Sequence, residues 1–262
     1  MYPLKLVLIN GKVTESSNYP LEVWALDKNN EKGKYYFKPF RQGSINTYPT
    51  AKEIIACELA VLFDLPTPSY NILDINNLKL SEHYTENELR KFYTGYKFCS
   101  KKLEQYVIFD SSVISVGFLK DYEIINIFAF DFLIQNLDRG LRKGKPNILI
   151  NDNNLVMIDH ELSLSFICSH PPKNLVYEKT LSFYRGSEHV LYNHIKAIKI
   201  KSHIFDKFCE ILSNLNINSL EKVFDEMDNF NIDYGDRLDY YSYLDWCKNN
   251  SDIIKRYLLA TI

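Results

Sequence analysis

Phe130 to Leu164 reads FDFLIQNLDRGLRKGKPNILINDNNLVMIDHELSL, and the fold turns on this stretch. An apolar run from Phe128 to Ile134 ends in Asn136 and Asp138. A basic loop broken by glycine follows, carrying Arg139, Arg142, Lys143 and Lys145, and it closes on Pro146 and Asn147. Two short apolar runs, Ile148 to Ile150 and Leu155 to Ile158, flank the polar turn Asn151 to Asn154, a pattern that predicts a β-hairpin. The second run ends in Asp159 and His160. Antiparallel pairing brings Asn147 and Asp159 to the same end of that ribbon. Asp138 lies on the loop feeding the same end.

Two acids and an amide converging beside a loop of cations suit magnesium-dependent phosphoryl transfer. The metal needs hard oxygen ligands, and one further carboxylate must orient an attacking hydroxyl. The order Asp, Asn, Asp is also the order in which kinase catalytic regions present the base, the metal-binding amide and the metal-binding carboxylate. Singly, Asp138 and Asn147 read as turn residues and Asp159 as the cap of a strand. It is the three together, in that order, that favour the chemical reading.

The stretch resembles the catalytic core of the HipA-like kinases, bacterial relatives of the phosphatidylinositol kinases and of the protein-kinase superfamily. The likeness rests on Asn136-Leu137-Asp138-Arg139, on Pro146-Asn147-Ile148-Leu149-Ile150, and on Ile158-Asp159-His160 with the apolar run after it. It implies Asp138 as the catalytic carboxylate, and Asn147 and Asp159 as magnesium ligands. It also implies an α+β, bilobal fold of the protein-kinase type, with a small antiparallel-sheet N-lobe and a helix-rich C-lobe carrying the catalytic hairpin. In the family's namesake the gap between the catalytic Asp and the Asn is shorter, so the longer basic loop here points to the compact HipA-like branch.

Composition sets the frame for that reading. With 262 residues, 46% of them hydrophobic, and a formal charge of −2, the chain is long enough for two lobes sharing a cleft and has no electrostatic footprint for nucleic acid. Five cysteines, Cys57, Cys99, Cys168, Cys209 and Cys247, are odd in number and widely spaced, with no CxxC pair. They encode neither a disulfide framework nor a zinc site and fit reduced, buried thiols in a cytosol. No signal peptide and no membrane-spanning run of about 18 apolar residues is present, so a cytoplasmic location is expected.

The first lobe is expected over residues 1–104 and the second over 105–262. Leu4 to Ile9, Leu21 to Leu26 and Lys34 to Phe40 read as strands, with a hairpin turn from Asp27 to Gly33. The connection from Gly11 to Pro20 is polar and holds Ser16 and Ser17. In a kinase-like lobe such a loop covers nucleotide phosphates through its N–H groups, although one glycine makes a poor cradle. Those two serines are candidate nucleotide contacts and autophosphorylation sites.

Lys38 sits among aromatics, where a lysine ordinarily snorkels to the surface. The helix expected from Ala51 to Asp64 alters that reading. It is apolar on nearly every side, and its interior acids Glu53 and Glu58 lie about 140° apart around the axis, so both cannot serve one partner. A carboxylate in such a helix needs a cation, and a strand lysine held by a helix glutamate is the pair kinases use to grip nucleotide phosphates. Glu53 shares its face with the small residues Cys57 and Ala60, which permit close approach, whereas Glu58 sits between Ile54 and Leu62. The resemblance agrees, since the family carries a Glu at the start of this helix. The helix runs into a Leu-Gly-Leu-x-x-Pro-like turn, here Phe63-Asp64-Leu65-Pro66-Thr67-Pro68, with Asp64 where that turn has Gly. Asp tolerates the turn conformation, and Pro66 stops the helix in any case.

Further strands are expected from Ser69 to Ile75 and from Thr94 to Ser100, with a polar excursion over Asn76 to Asn87 between them. The chain then passes between the lobes, where the resemblance has backbone facing adenine. Helices are expected over Val113 to Phe118, Tyr122 to Gln135, Glu188 to Lys199, Ser202 to Leu215, Ser219 to Met227 and Trp246 to Leu259. Ser165 to Tyr184, with Pro171 and Pro172, reads as irregular. His189, His194 and His203 lack acidic partners at metal spacing and read as packing or surface residues.

Other chemistries lack their motifs. An EF-hand starting at Asp152 would put Met157 at the required glycine and Ser163 at the final glutamate. No P-loop, Rossmann fingerprint or GxSxG elbow occurs. The expected activity is therefore an ATP- and Mg2+-dependent phosphotransferase with an alcohol acceptor, most simply a serine/threonine protein kinase. Lys38 and Glu53 would bind nucleotide, Asn147 and Asp159 would hold metal, and Asp138 would act as the catalytic carboxylate. Arg139 either neutralises charge on the transferring group or anchors the loop. The alternative is a nucleotide-binding pseudokinase that works by protein contact. Lipid phosphorylation ranks last for want of a basic amphipathic helix. The resemblance adds a protein substrate, a toxin-like role and an antitoxin-like or regulatory protein partner, with no nucleic acid and no membrane.

Overall fold

The structure is a computed structural model that describes residues 1–13, 20–40, 47–112, 114–115, 117–140, 145–168, 176–199 and 201–262. Ser16, Ser17, Arg142 and Lys143, singled out above, lie outside the described residues.

Alternating polarity near the N-terminus builds a five-stranded antiparallel sheet from β1 (Lys5–Lys12), β2 (Leu21–Leu26), β3 (Lys32–Phe37), β4 (Tyr70–Asp74) and β5 (Tyr96–Lys101), in the order β1-β2-β3-β5-β4. Along β2, Leu21, Val23 and Ala25 are buried on one face while Glu22, Trp24 and Leu26 are half-buried on the other, as the period of two requires. β3 starts two residues earlier than expected and ends before Lys38. The Lys38 N–H still donates to the Phe98 carbonyl at 3.2 Å, prolonging the contact with β5.

α1 (Pro49–Leu62) is buried along most of its length. It begins two residues before the expected start, because Pro49 suits the first turn of a helix. It closes at Phe63, and Asp64 follows in the left-handed region at φ 56°. Phe63 stacks on Phe208 at 4.8 Å and meets Phe130 edge-on at 5.6 Å, tying the end of α1 to the helical part of the chain. A turn of helix, α2 (Glu86–Leu89), lies in the excursion between β4 and β5 and starts on a capping box from Thr85 to Glu88.

The second sheet contains the expected hairpin and one strand the sequence did not announce. β6 (Val107–Ile108) pairs with β7 (Ile148–Ile150), which pairs with β8 (Leu155–Met157) in the register Ile148↔Met157 and Ile150↔Leu155. Asn151 makes the turn, its side-chain oxygen accepting from the N–H groups of Asn153 and Asn154. At the open end Ile158 N–H donates to the Asn147 carbonyl at 3.0 Å. Met157 N–H donates to the Pro66 carbonyl at 3.0 Å, so the hairpin is also bonded to the turn that leaves α1.

The remainder is helical: α3 (Ile124–Ile134), α4 (Ser165–Cys168), α5 (Tyr177–Ser182), α6 (Tyr192–Lys196), α7 (Asp206–Ser213), α8 (Glu221–Asn229), α9 (Arg237–Asn249) and α10 (Ser251–Thr261). Three expectations are corrected here. The described residues of Val113 to Phe118 form no α-helix, and a 3-10 turn occupies Phe118–Asp121. Ser165 to Tyr184, expected to be irregular, contributes α4 and α5. The single helix expected over Trp246 to Leu259 is two, broken at Asn250, whose φ of −124° and ψ of 32° lie outside the helical region. No helix among the described residues is long and apolar enough to cross a membrane.

Candidate active site

Lys38 leaves the sheet where α1 passes, and its ammonium donates to the Glu53 carboxylate and, at 3.0 Å, to Asp159 Oδ1. Glu53 is 1% exposed, and its second oxygen accepts the backbone N–H of His160 at 3.0 Å. Glu58 takes the hydroxyl of Tyr70 instead, which settles the choice between the two glutamates of α1. Burial by itself would raise the Glu53 carboxyl, but the Lys38 charge and the His160 contact outweigh it and hold the group down at about 2. For Lys38, burial pulls the other way, and the neighbouring charges of Asp159 and Glu53 push the ammonium above its ordinary value. Lys38 and Glu53 are thus both ionised across the whole physiological range.

The open end of the hairpin gathers the three residues read from the sequence. Asn147 Nδ2 donates to both the carbonyl and the Oδ2 of Asp138, each at 3.2 Å. The Ile158 to Asn147 bond sets Asp159 one residue past the last rung. Asn147 and Asp159 both adopt left-handed backbone, at φ 47° and 62°, a conformation that non-glycine residues keep only where their surroundings over-determine it.

Arg139 is 1% exposed and turned inward. Its Nε donates to Asp131, and its Nη1 donates to the carbonyl of Asn147 and, at 3.1 Å, to that of Ile158. These bonds run to Asp131 and to backbone carbonyls, the contacts that the anchoring role would make, while Nη2 is buried without a hydrogen bond among the described residues. Asp131, fully buried in α3, also accepts Asn136 Nδ2 at 3.1 Å and His189 Nε2 at 2.9 Å. Leu191 N–H donates to His189 Nδ1 at 3.0 Å, which fixes the proton on Nε2. Burial pulls the His189 ring below its ordinary pKa, so it is neutral. Burial would raise Asp131, but the Arg139 charge and the His189 bond hold it at about 2.

Asp131 was not singled out in the sequence, and His189 was read there only as a packing or surface residue. The signal for Asp131 was present, since it is an acid inside an apolar helix, the same argument that identified Glu53. Lys52 is a cation in the same kind of setting; it is buried in α1 and donates to Ser165 Oγ at 3.1 Å.

Among the described residues no three His, Cys, Asp or Glu side chains converge to cage a metal. The donor set fits a different arrangement. Asn147 spends its Nδ2 on Asp138, and among the described residues neither Asn147 Oδ1 nor Asp159 Oδ2 accepts a hydrogen bond. These are hard oxygens of the kind magnesium takes one or two at a time, completing its shell with phosphate and water. A cavity of about 320 Å³ lies elsewhere, lined by Ile75, Leu80, Leu89, Phe92 and Thr94, and none of the site residues borders it.

A family model described as "HipA-like kinase" matches residues 26–216, which contain Lys38, Glu53, Asp138, Asn147 and Asp159. Among solved structures, that of a Helicobacter pylori proinflammatory kinase, CtkA, is similar to this chain with a TM-score of 0.53 and 15% identity over 98% of each chain. At that identity the likeness is one of fold. No curated protein matches the sequence.

Proposed function

The chain belongs to the HipA-like kinase family, and from that premise we propose that it transfers the γ-phosphoryl group of ATP, with Mg2+, to a serine or threonine hydroxyl of a protein. The observation that carries the reading is the ammonium of Lys38 shared between Glu53 and, at 3.0 Å, Asp159 Oδ1, which brings the sheet and the hairpin to one point. Lys38 would turn from Asp159 toward phosphate oxygens while Glu53 keeps its stem in place. Asn147 Oδ1 and the Asp159 carboxylate would hold the metal. When bound, magnesium neutralises charge on the phosphates and lowers the cost of bringing an anionic group to an acceptor. Asp138, steadied by the Asn147 amide, would orient the acceptor hydroxyl and receive its proton.

The nucleotide would lie between a unit ending near residue 104 and the helical remainder. A protein acceptor, a toxin-like role and a regulatory protein partner belong to this proposal, as does a cytoplasmic location. The test is incubation with γ-labelled ATP and Mg2+, with a survey of protein acceptors and of the chain itself, including Ser16 and Ser17. Label transfer is expected in the wild type, and its loss is expected in Asp159→Ala with a cooperative melt retained. Full transfer in that variant overturns the proposal, and nucleotide binding without any transfer favours the contact-module alternative.

A further inference from the structure

Behind Asp138, Asn147 and Asp159 lies a buried polar network centred on one carboxylate. Asp131 Oδ2 receives Arg139 Nε and, at 2.9 Å, His189 Nε2, while Oδ1 receives Asn136 Nδ2 at 3.1 Å. Two arms leave this centre. Through the first, Arg139 Nη1 reaches the carbonyls of Asn147 and Ile158, the first belonging to one metal-holding residue and the second to the peptide that leads into the other. Through the second, Asn136 Oδ1 accepts the backbone N–H of Asp138 at 3.2 Å.

We propose that Asp131 is a positioning residue for phosphoryl transfer, setting the backbone of Asn147 and Asp159 through Arg139 and that of Asp138 through Asn136. The inference rests on the reading of Asn147 and Asp159 as metal-holding residues and extends it to groups that touch neither metal nor nucleotide. Both residues sit in left-handed backbone that they would leave if unrestrained. The hydrogen bonds that restrain them end on a planar guanidinium, whose orientation is fixed in turn by the carboxylate. The network is completed from another part of the chain. Val190 N–H donates to the Arg139 carbonyl at 3.0 Å, and the adjacent His189 supplies a neutral donor to Asp131. Gly140, next to Arg139, admits this segment, because a Cβ there would come within 2.9 Å of the Glu188 carbonyl oxygen. Outer groups that hold a ligand's orientation act on metal affinity rather than on nucleotide contacts.

The test is Mn2+ binding in the presence of ATP, read from the electron paramagnetic resonance signal of free Mn2+, with ATP affinity without metal measured in parallel. Asp131→Asn keeps the shape and removes the charge that orients Arg139. The Mn2+ concentration at half-occupancy is expected to rise about tenfold, with metal-free ATP affinity unchanged. A purely structural role would lower the folded fraction and with it the amount of Mn2+ taken up, but leave the midpoint of the folded protein where it was. If Asp131→Asn gives no cooperative melt, Arg139→Lys takes its place, because it keeps a charge for Asp131 but loses the planar fork. A rise of less than about threefold, against the cost expected for an outer group, overturns the inference. Wild-type protein that takes up no Mn2+ with ATP overturns instead the metal reading on which it rests.

Discussion

Replacing Glu53 by Gln removes one charge and almost no volume from the point where sheet, helix and hairpin meet. Breaking a buried ion pair by deleting one partner costs about 3–5 kcal/mol when the other charge is left alone. Here the loss is smaller for two reasons. Lys38 keeps Asp159 at 3.0 Å, and a glutamine oxygen can still accept the His160 N–H. A penalty of about 2–3 kcal/mol follows, and at about 2–4 °C per kcal/mol for a chain of this size the melting temperature falls by about 5–10 °C. Glu58→Gln is the matched control on the same helix. It weakens one bond from Tyr70 at a half-buried position, worth about 1 kcal/mol. Thermal melts of the two variants, with ATP affinity measured on each, separate the roles: Glu53→Gln should melt lower and bind ATP more weakly, and Glu58→Gln should keep ATP affinity. Equal melts, or a wild-type ATP affinity in Glu53→Gln, would refute the assignment of Glu53 as the partner that presents Lys38.

The carboxyls of Glu53 and Asp131 both have pKa values depressed by folding, from ordinary values of 4.5 and 3.8 to about 2. Their contribution is complete above the ordinary values and is lost as pH falls toward the folded ones, so urea midpoints should drop between those limits, and drop less steeply in Glu53→Gln. Gly186→Ala would place a Cβ 2.0 Å from Thr261 Cγ2 and 3.0 Å from Phe128 Cζ, and a loss of about 1–3 kcal/mol is expected in denaturant titrations. Thr261→Ser, which deletes the clashing methyl, should restore part of it. Asp64→Gly relieves a left-handed residue at an exposed turn and should hold stability level or raise it by up to about 1 kcal/mol, whereas Asp64→Val should lower it, as parallel melts would reveal.

Legibility in the sequence followed the range of the interactions. The hairpin was readable because its turn and both strands are local, and Asn147 and Asp159 came with its register. Glu53 was readable because an acid in an apolar helix demands a cation. Asp131 obeys the same rule and was passed over, hidden in a run of Phe and Leu that read as plain core. The contacts of Arg139 could not be read, since its reach allows either phosphate or backbone and its bond to the Asp131 carboxylate is encoded in no local pattern. β6 is two residues long, too short for any period to register. The break at Asn250 escaped because apolar spacing resumes in phase soon after it, so periodicity alone joins α9 to α10. His189 depends on a contact 58 residues away from Asp131, which no local pattern encodes.

The ammonium shared by Glu53 and Asp159 is a resident counter-ion for both carboxylates. A divalent cation arriving by itself would meet a carboxylate already engaged with positive charge and would have to push against it. A polyphosphate arriving first would draw that ammonium onto itself and uncover the acid. If the proposed function holds, nucleotide would lead and metal would follow or accompany it, because the Asp159 oxygen is reached by exchanging the Lys38 ammonium for another cation.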